Sequence, residues 1–269
     1  MNSNKLKQIT SVIFCLIFIL ASFVGCSMFS EEETTTTATT TTTTTTKPTT
    51  TEDLETTFKE SSTRKIYTAL SKDESGSYPY EIAKYTTTYQ TSNKTRTTNL
   101  KNAVEKINNI KIPKGEIFSF NQVVGKRTVT AGYETATVYE NGEATDGLGG
   151  GICQVSSTIF QCILRANCKI VERTYHSLTI GYVPLGGDAT VQWNSKDFKF
   201  ENNLGCDVKL KITCSGGKLT CTLYAKKDVD PGNVKIKISK SGEQYILTRT
   251  VNGKQNYRTV SKYKTPKDE

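Results

Sequence analysis

The chain of 269 residues carries a formal net charge of +9, and most of its excess of Lys and Arg lies after residue 225. A basic surface suits nucleic acid, anionic lipid headgroups or anionic cell-wall polymers. Because the first residues have the pattern of an export signal, the compartment excludes nucleic acid as a partner. Anionic lipid headgroups and wall polymers remain as candidate partners of the basic surface.

Residues 1–25 have the pattern of a lipoprotein signal peptide. Two lysines precede an apolar run from Ser11 to Val24, which is shorter than the ~20 residues of a comfortable membrane span. The sequence Phe23-Val24-Gly25-Cys26 resembles the bacterial lipobox. We therefore expect cleavage before Cys26, a lipid on Cys26, and anchoring at the extracellular face of the cell membrane. An uncleaved signal anchor is the alternative, and it also leaves the rest of the chain outside.

Residues 26–79 are predicted to be a flexible stalk and linker. Three glutamates and a threonine tract fill the segment from Glu31 to Thr51. Such a segment has almost nothing apolar to bury, so it cannot offset the entropy lost on ordering. The folded part is predicted to consist of a domain at 80–225 and a basic, β-rich tail at 226–269.

The pattern of the domain mixes helices and strands. Apolar residues at helical spacing predict a helix from Thr98 to Ile110, and the dipeptide Asn141-Gly142 predicts a tight hairpin turn. A second helix is predicted from Ile152 to about Asn167, followed by strands. We therefore expect an α+β fold in which an antiparallel sheet packs against a central, cysteine-bearing helix, with a small C-terminal β appendage. Papain-like and transglutaminase-like thiol enzymes share this order of elements, which is an analogy at fold level.

Cys153 is the predicted centre of the functional site. It follows three glycines, Gly149, Gly150 and Gly151, at the predicted start of the second helix. Unpaired N–H groups and the positive end of the helix dipole favour a thiolate there, and the pKa of Cys at such sites falls from ~8.5 to roughly 3.5–7.5. The sequence thus predicts a reactive thiol beside a glycine-rich, substrate-binding turn.

A base and an orienting carboxylate are available for this thiol. The chain contains one histidine, His176, on a predicted strand from Ile170 to Tyr182, and Asp188 precedes the next predicted strand. Thiol, imidazole and carboxylate are the general arrangement for nucleophilic acyl transfer. In this hypothesis Cys153 attacks an amide carbonyl, His176 moves the proton and Asp188 holds the imidazole tautomer. Gln154 and the first N–H groups of the helix are candidate oxyanion donors.

These residues also allow simpler interpretations. Ser156 and Ser157 are assigned to substrate binding, but packing or capping near the start of the helix explains them as well. Cys153 is also consistent with a small buried residue of the core. His176 is also consistent with a structural residue held by hydrogen bonds. We predict no metal site and no cofactor, because the later cysteines lack the clustering of zinc ligands. Disulfides are their default alternative outside the cell, with the pairing left open.

Several blocks of sequence resemble the VanW family, which is named from a vancomycin B-type resistance cluster. In chain order they are GEIFSFNQVVGKRT, GYETATVYENGE, GLGGGICQVSSTIF, RTYHSLTIGYVPLGGDATVQW and DFKFENN. The similarity extends from about Ile82 to Tyr224. It implies a secreted cell-envelope protein linked to peptidoglycan or glycopeptide resistance, without implying a particular reaction.

Two classes of function follow from these observations. The first is an envelope lipoprotein that acts on or binds peptidoglycan peptides, with amidase, peptidase or transpeptidase chemistry where the thiol is catalytic. The second is a non-catalytic structural or partner-binding lipoprotein that uses the basic tail. The first depends on Cys153 and His176, whereas the second depends on residues 226–269.

Overall fold

The computed structural model describes residues 70–140 and 143–264. The predicted signal peptide, the predicted lipidation site at Cys26, most of the predicted stalk and the turn at residues 141–142 lie outside these residues. Within the described part of the chain, no helix is long and apolar enough to cross a membrane.

The described residues form three α-helices and twelve strands. The helices are α1 (Lys94–Ile107), α2 (Phe120–Val124) and α3 (Ile152–Arg165). The strands are β1 (Tyr80–Thr88), β2 (Ile110–Ile112), β3 (Ile117–Ser119), β4 (Thr135–Glu140), β5 (Glu143–Leu148), β6 (Lys169–Glu172), β7 (Lys199–Glu201), β8 (Val208–Ser215), β9 (Lys218–Ala225), β10 (Val234–Ser241), β11 (Gln244–Val251) and β12 (Lys254–Lys262).

These strands are divided among four antiparallel sheets in the described residues. The largest has the order β1-β9-β8-β2, two others have the orders β10-β11-β12 and β3-β7-β6, and β4 pairs with β5. Strands make up 42% of the structure and helices 19%, so the fold is mostly β. The predicted α+β class, with one antiparallel sheet packed against a central helix, is therefore wrong.

The environment of α3 explains this difference. Twelve of its fourteen residues are buried, so the helix is enclosed on nearly all sides and does not present one apolar face to one sheet. Register shifts interrupt the pairing of β1 with β9 and of β6 with β7. A sequence pattern indicates which segments are strands, but it does not show how those strands are divided among sheets.

The C-terminal strands belong to the same core as the rest of the structure. Leu247 on β11 is fully buried in the main hydrophobic cluster. Arg249 is also buried, and its Nη1 donates hydrogen bonds to the carbonyl oxygens of Leu164, at 3.3 Å, and Cys168, at 2.8 Å. Because these bonds satisfy carbonyl groups at the end of α3, the three-stranded sheet is integrated with the domain and is not an appendage.

Helix α1 begins earlier than the sequence predicts. Its N-cap is Asn93, whose side chain accepts a hydrogen bond from the backbone of Arg96, so the helix starts at Lys94 and not at Thr98. Asn93 has the short polar side chain typical of this position. The apolar spacing that predicted a start at Thr98 does not include this capping residue.

Asn99 connects α1 to the glycine-rich turn. Its side chain is fully buried and donates to the carbonyl oxygens of Glu134 at 2.9 Å and Gly150 at 3.1 Å. Its Oδ1 accepts the N–H of Glu134 at 2.8 Å. One amide therefore fixes both the approach to β4 and the turn that precedes α3.

Replacement of this amide should weaken the fold. In Asn99→Leu the backbone groups of Glu134 and Gly150 lose their buried partner, so we expect the free energy of unfolding to fall by about 2–4 kcal/mol. Urea denaturation measures the change. Asn102→Leu on the same helix is the matched control, since Asn102 makes a single hydrogen bond, to Gly132, in a more exposed position. Equal losses in the two variants would contradict this account.

Candidate active site

A cavity of about 370 Å³ lies at the start of α3. This volume falls within the range of roughly 300–1,000 Å³ that is typical of small-ligand sites. The β4–β5 hairpin, the glycine-rich turn and the irregular chain between β6 and β7 form its walls. Cys153, His176, Tyr182, Thr190 and Val191 are among its lining residues.

The glycine-rich turn needs glycine for two physical reasons. Gly149 and Gly151 have φ values of +80° and +102°, a region that residues with a Cβ rarely adopt. A Cβ on Gly150 would lie 2.6 Å from the carbonyl oxygen of Thr137 on β4. Gly149 and Gly151 line the cavity, as a substrate-binding role requires, whereas Gly150 allows the turn to approach β4 closely.

Cys153 is the second residue of α3 and is partly buried at the cavity wall. Its Sγ lies 3.5 Å from the backbone nitrogen of Val191, which donates to it, and 3.5 Å from Oγ1 of Thr190. The backbone N–H of Cys153 belongs to the first helical turn, where N–H groups have no acceptor within the helix. The thiol is thus placed near donors that stabilise its anionic form.

His176 is held by two hydrogen bonds to one carboxylate oxygen. Its ring Nδ1 lies 2.6 Å from Oδ2 of Asp188, and its backbone N–H donates to the same oxygen at 2.7 Å. An ionised carboxylate only accepts, so Nδ1 carries the proton in this pair and Nε2 is left for the cavity side. Nε2 lies 3.3 Å from the hydroxyl oxygen of Tyr182.

The local structure of this pair differs from the prediction. His176 and Asp188 lie in irregular chain between β6 and β7, and neither is next to a continuous strand. An isolated bridge between Thr174 and Thr190 joins the two segments. The positions of His176 and Asp188 are therefore fixed by polar side chains and by this bridge. They are not fixed by the hydrogen bonds of a continuous sheet.

Two residues that sequence reasoning missed complete the environment of Asp188. Arg173 Nη2 donates to Oδ1 at 3.0 Å, and the hydroxyl of Tyr263 donates to the same oxygen at 2.5 Å. Arg173 also donates from Nε to the carbonyl oxygen of Asp188 at 2.6 Å. Arg173 lies three positions before the histidine, which is a weak signal, whereas no signal in the sequence connects Tyr263 with this site.

The pKa of the thiol lies below that of the imidazole, which reverses the usual order of the two groups. Burial raises the pKa of Cys153, but the hydrogen bond and charge of His176 outweigh it and lower the pKa to about 7. Burial lowers the pKa of His176, but its hydrogen bonds with Asp188 and Cys153 raise it to about 9. Between these values the thiolate and the imidazolium are both charged, so they form an ion pair near neutral and mildly alkaline pH.

The side chain of Gln154 is committed to structure. Its Nε2 donates to Oγ1 of Thr87 at 3.0 Å and to the carbonyl oxygen of Thr88 at 2.8 Å, and its Oε1 accepts from Arg96 at 2.6 Å. Both amide hydrogens are therefore in use. The side chain therefore has no free N–H with which to act as the predicted oxyanion donor.

Ser156 and Ser157 lie behind the thiol and are fully buried. Ser156 donates to the carbonyl oxygen of Ala189 at 2.6 Å, and the Ala189 N–H donates to Ser157 at 2.9 Å. Both hydroxyl groups hold the residue that follows Asp188. Their geometry favours a supporting role over the predicted contact with substrate.

The remaining cysteines do not join the site. All six cysteines of the described residues carry free thiols. Cys162, nine positions after Cys153, is buried and donates to the carbonyl oxygen of Ala83 at 3.4 Å. Burial raises the pKa of Cys168 far above its usual range. Within residues 70–140 and 143–264, no group of three or more His, Cys, Asp or Glu side chains is placed to hold a metal ion.

The structure thus defines a mostly β domain in which a thiol and an imidazole line one cavity and a buried carboxylate binds the imidazole from behind. Residues 95–224 match the family described as VanW like protein. Cys153, His176 and Asp188 lie inside the matched segment, and Tyr263 lies outside it.

Two curated proteins are similar to about half of the chain. The chain is 42% identical over 145 residues to the uncharacterized protein YoaR of Bacillus subtilis, which covers 54% of this chain and 48% of YoaR. It is 29% identical over 153 residues to the vancomycin B-type resistance protein VanW of Enterococcus faecalis, covering 55% and 54% of the two chains. The chain therefore spans about half the length of these relatives. No solved structure matches it.

The contribution of Tyr263 can be measured directly. Tyr263→Phe removes the hydrogen bond to Asp188 and the acceptor of the Gly186 N–H. We expect the free energy of unfolding in urea to fall by about 1–3 kcal/mol, because a buried charge loses a donor. The control is Tyr80→Phe, the same change at an exposed tyrosine, for which we expect less than about 0.5 kcal/mol. An unchanged stability of Tyr263→Phe would contradict the assigned role.

Proposed function

We propose that this protein is a cell-envelope lipoprotein whose VanW domain catalyses acyl transfer on peptides of the peptidoglycan. The observation that supports the reaction most strongly is that His176, held by a hydrogen bond to Asp188, lines the same cavity as Cys153 and lowers the pKa of its thiol. The envelope location rests on the sequence of residues 1–26. The peptide class rests on the family and on the relative whose name refers to vancomycin B-type resistance.

In the first step, the Cys153 thiolate attacks the carbonyl carbon of an amide bond in the substrate. A carbon–sulfur bond forms, and the carbonyl oxygen becomes an oxyanion that accepts hydrogen bonds from backbone N–H groups at the start of α3. The His176 imidazolium then gives its Nε2 proton to the amide nitrogen. The carbon–nitrogen bond breaks, the amine leaves, and a thioester remains on Cys153.

In the second step, neutral His176 takes a proton from an incoming nucleophile. Attack by water on the thioester releases a carboxylic acid, which makes the reaction an amidase or peptidase reaction. Attack by an amine of a second peptide forms a new amide, which makes it a transpeptidase reaction. In both cases the thiolate leaves and the ion pair with His176 is restored.

The role of Asp188 in this cycle is to position His176. Because Oδ2 binds both the ring Nδ1–H and the backbone N–H, it fixes the tautomer and the orientation of the ring. Arg173 and Tyr263 keep the carboxylate charged, and hydrogen bonds from His176 and the charge of Arg173 lower the pKa of Asp188 although burial alone would raise it. Asp188 therefore stays an acceptor throughout the cycle.

Peptide turnover by the full chain tests the proposal. Soluble wall peptides are incubated with the wild type and with Cys153→Ala, and products are quantified by mass spectrometry. We expect Cys153→Ala to lose at least about 10³-fold in rate, because the nucleophile is removed. We also expect the intact mass of the wild type to show a thioester adduct on Cys153 early in the reaction.

The matched control is Cys214→Ala, the same change at the other partly buried cysteine of the described residues, which should keep the wild-type rate. Turnover that survives in Cys153→Ala would remove the catalytic proposal.

A second candidate function is favoured by the charge of the C-terminal sheet. Lys235, Lys237 and Lys240 are exposed on its edge strand β10, where they suit anionic wall polymers or lipid headgroups. Replacement of these three lysines by Gln should then reduce wall sedimentation of the protein and leave Cys153-dependent turnover of soluble peptides unchanged. The opposite pattern would contradict a binding role for this strand.

A further inference from the structure

The wall of the cavity carries positive charge on several sides. Four cationic side chains line it, and its lining residues include no Asp or Glu. The four are Arg96, Lys126, Arg127 and Lys196. Asp188 is fully buried behind His176 and is already paired with Arg173. The field inside the cavity therefore favours an anionic group on the ligand.

Arg127 is held at this wall by hydrogen bonds and by packing. Its Nη1 donates to Oδ1 of Asn121 at 2.7 Å and to the carbonyl oxygen of Gly125 at 3.2 Å. Its guanidinium lies over the ring of Phe120, with 5.6 Å between Cζ and the ring centroid. A Cβ on Gly149 would lie 3.1 Å from Cγ of Arg127, so the side chain packs directly on the glycine-rich turn.

The anchor of Arg127 is itself fixed. The amide nitrogen of Asn121 donates to the carbonyl oxygens of Gln192 and Lys196, at 3.1 Å and 2.9 Å. The side chain of Asn121 therefore uses its nitrogen to bind the 192–196 turn and its oxygen to bind Arg127. The guanidinium is consequently pre-positioned before any ligand binds, which lowers the entropic cost of binding.

One nitrogen of the Arg127 guanidinium has no partner. Nη2 is buried and makes no hydrogen bond with any of the described residues. Buried donors are almost always paired in native structures, and an unpaired cationic donor is costly. Nη2 has almost no exposed surface, so the cavity wall must move slightly for a ligand to reach it. A carboxylate oxygen is the acceptor that a guanidinium binds most strongly.

The rim of the same cavity also has apolar surface. Leu148 and Trp193 line the cavity and are 42% and 37% exposed. Large apolar side chains with this exposure are suited to contact with uncharged parts of a ligand. The cavity thus combines a partly buried cation, a rim of apolar side chains and a thiol.

We propose that the substrate is a peptide with a free carboxylate within one residue of the bond that Cys153 attacks, and that Arg127 binds this carboxylate through Nη2. The proposal rests on the proposed acyl-transfer function and specifies its substrate class. Lys126 and Lys196 add to the positive field, and Arg127 determines specificity without taking part in proton transfer.

Calorimetric titration with two matched peptides tests this assignment. The protein is the full chain with Cys153→Ala, so that no peptide is consumed. The probes are an acetylated tripeptide of wall-peptide type whose only acid group is its terminal carboxylate, and the same peptide as its carboxamide. We expect the free acid to bind about 10- to 100-fold more tightly, because the carboxamide leaves the guanidinium without an anionic partner.

Substitutions in the Cys153→Ala protein show which residue causes the difference in affinity between the two peptides. Arg127→Gln should reduce the affinity ratio of the two peptides to within about twofold, and Arg127→Lys should keep part of it because the charge is retained. The matched control is Arg258→Gln on β12, the same change at an exposed arginine, which should keep the full ratio.

Three results would overturn the proposal: equal affinities for the two peptides, no binding of either, or an unchanged ratio in Arg127→Gln. If Arg127→Gln does not fold, the ratio in the Cys153→Ala protein and its change in Arg127→Lys still decide the matter. Because binding is measured without turnover, failure here is distinct from failure of the acyl-transfer proposal, which depends on the rate of Cys153→Ala.

Discussion

The buried carboxylate of Asp188 is the interaction on which the site depends. It accepts hydrogen bonds from Arg173, Tyr263 and two N–H groups of His176. Removing one partner of a buried ion pair typically costs about 3–5 kcal/mol, so these partners are needed for stability as well as for geometry. Segments that are far apart in sequence consequently meet at the carboxylate of Asp188. One of them is the segment directly after β12, which contributes Tyr263.

The same charge connects the core of the fold with the thiol of Cys153. Asp188 orients His176, and His176 lowers the pKa of Cys153. Ser156 and Ser157 hold the next residue, Ala189, from the opposite side. Because α3 carries the thiol and both serines, a displacement of this helix would disturb the carboxylate and the nucleophile together. The site is therefore built on a rigid helix and on polar contacts, although His176 and Asp188 lie in irregular chain.

The sequence was informative where residue chemistry alone is decisive. A cysteine after three glycines, a single histidine and a later aspartate are recognisable, and the structure places Cys153, His176 and Asp188 together. The fold class was not predictable, because the enclosure of α3 and the division of the strands depend on pairing between distant segments. Tyr263 and the unpaired Nη2 of Arg127 were missed for the same reason, since tertiary packing creates their roles.

The pH dependence of Cys153 alkylation tests the central claim most directly, namely that His176 and Asp188 make Cys153 a thiolate near neutral pH. Iodoacetamide labelling of the full chain, quantified by peptide mass spectrometry, isolates this cysteine from the other thiols. A lowered pKa means that the thiolate persists above about pH 7 and is lost below it, so the rate should have its midpoint near pH 7 in the wild type. His176→Ala should move the midpoint toward the ordinary cysteine value of about 8.5. A midpoint at or above that value in both proteins would contradict the account.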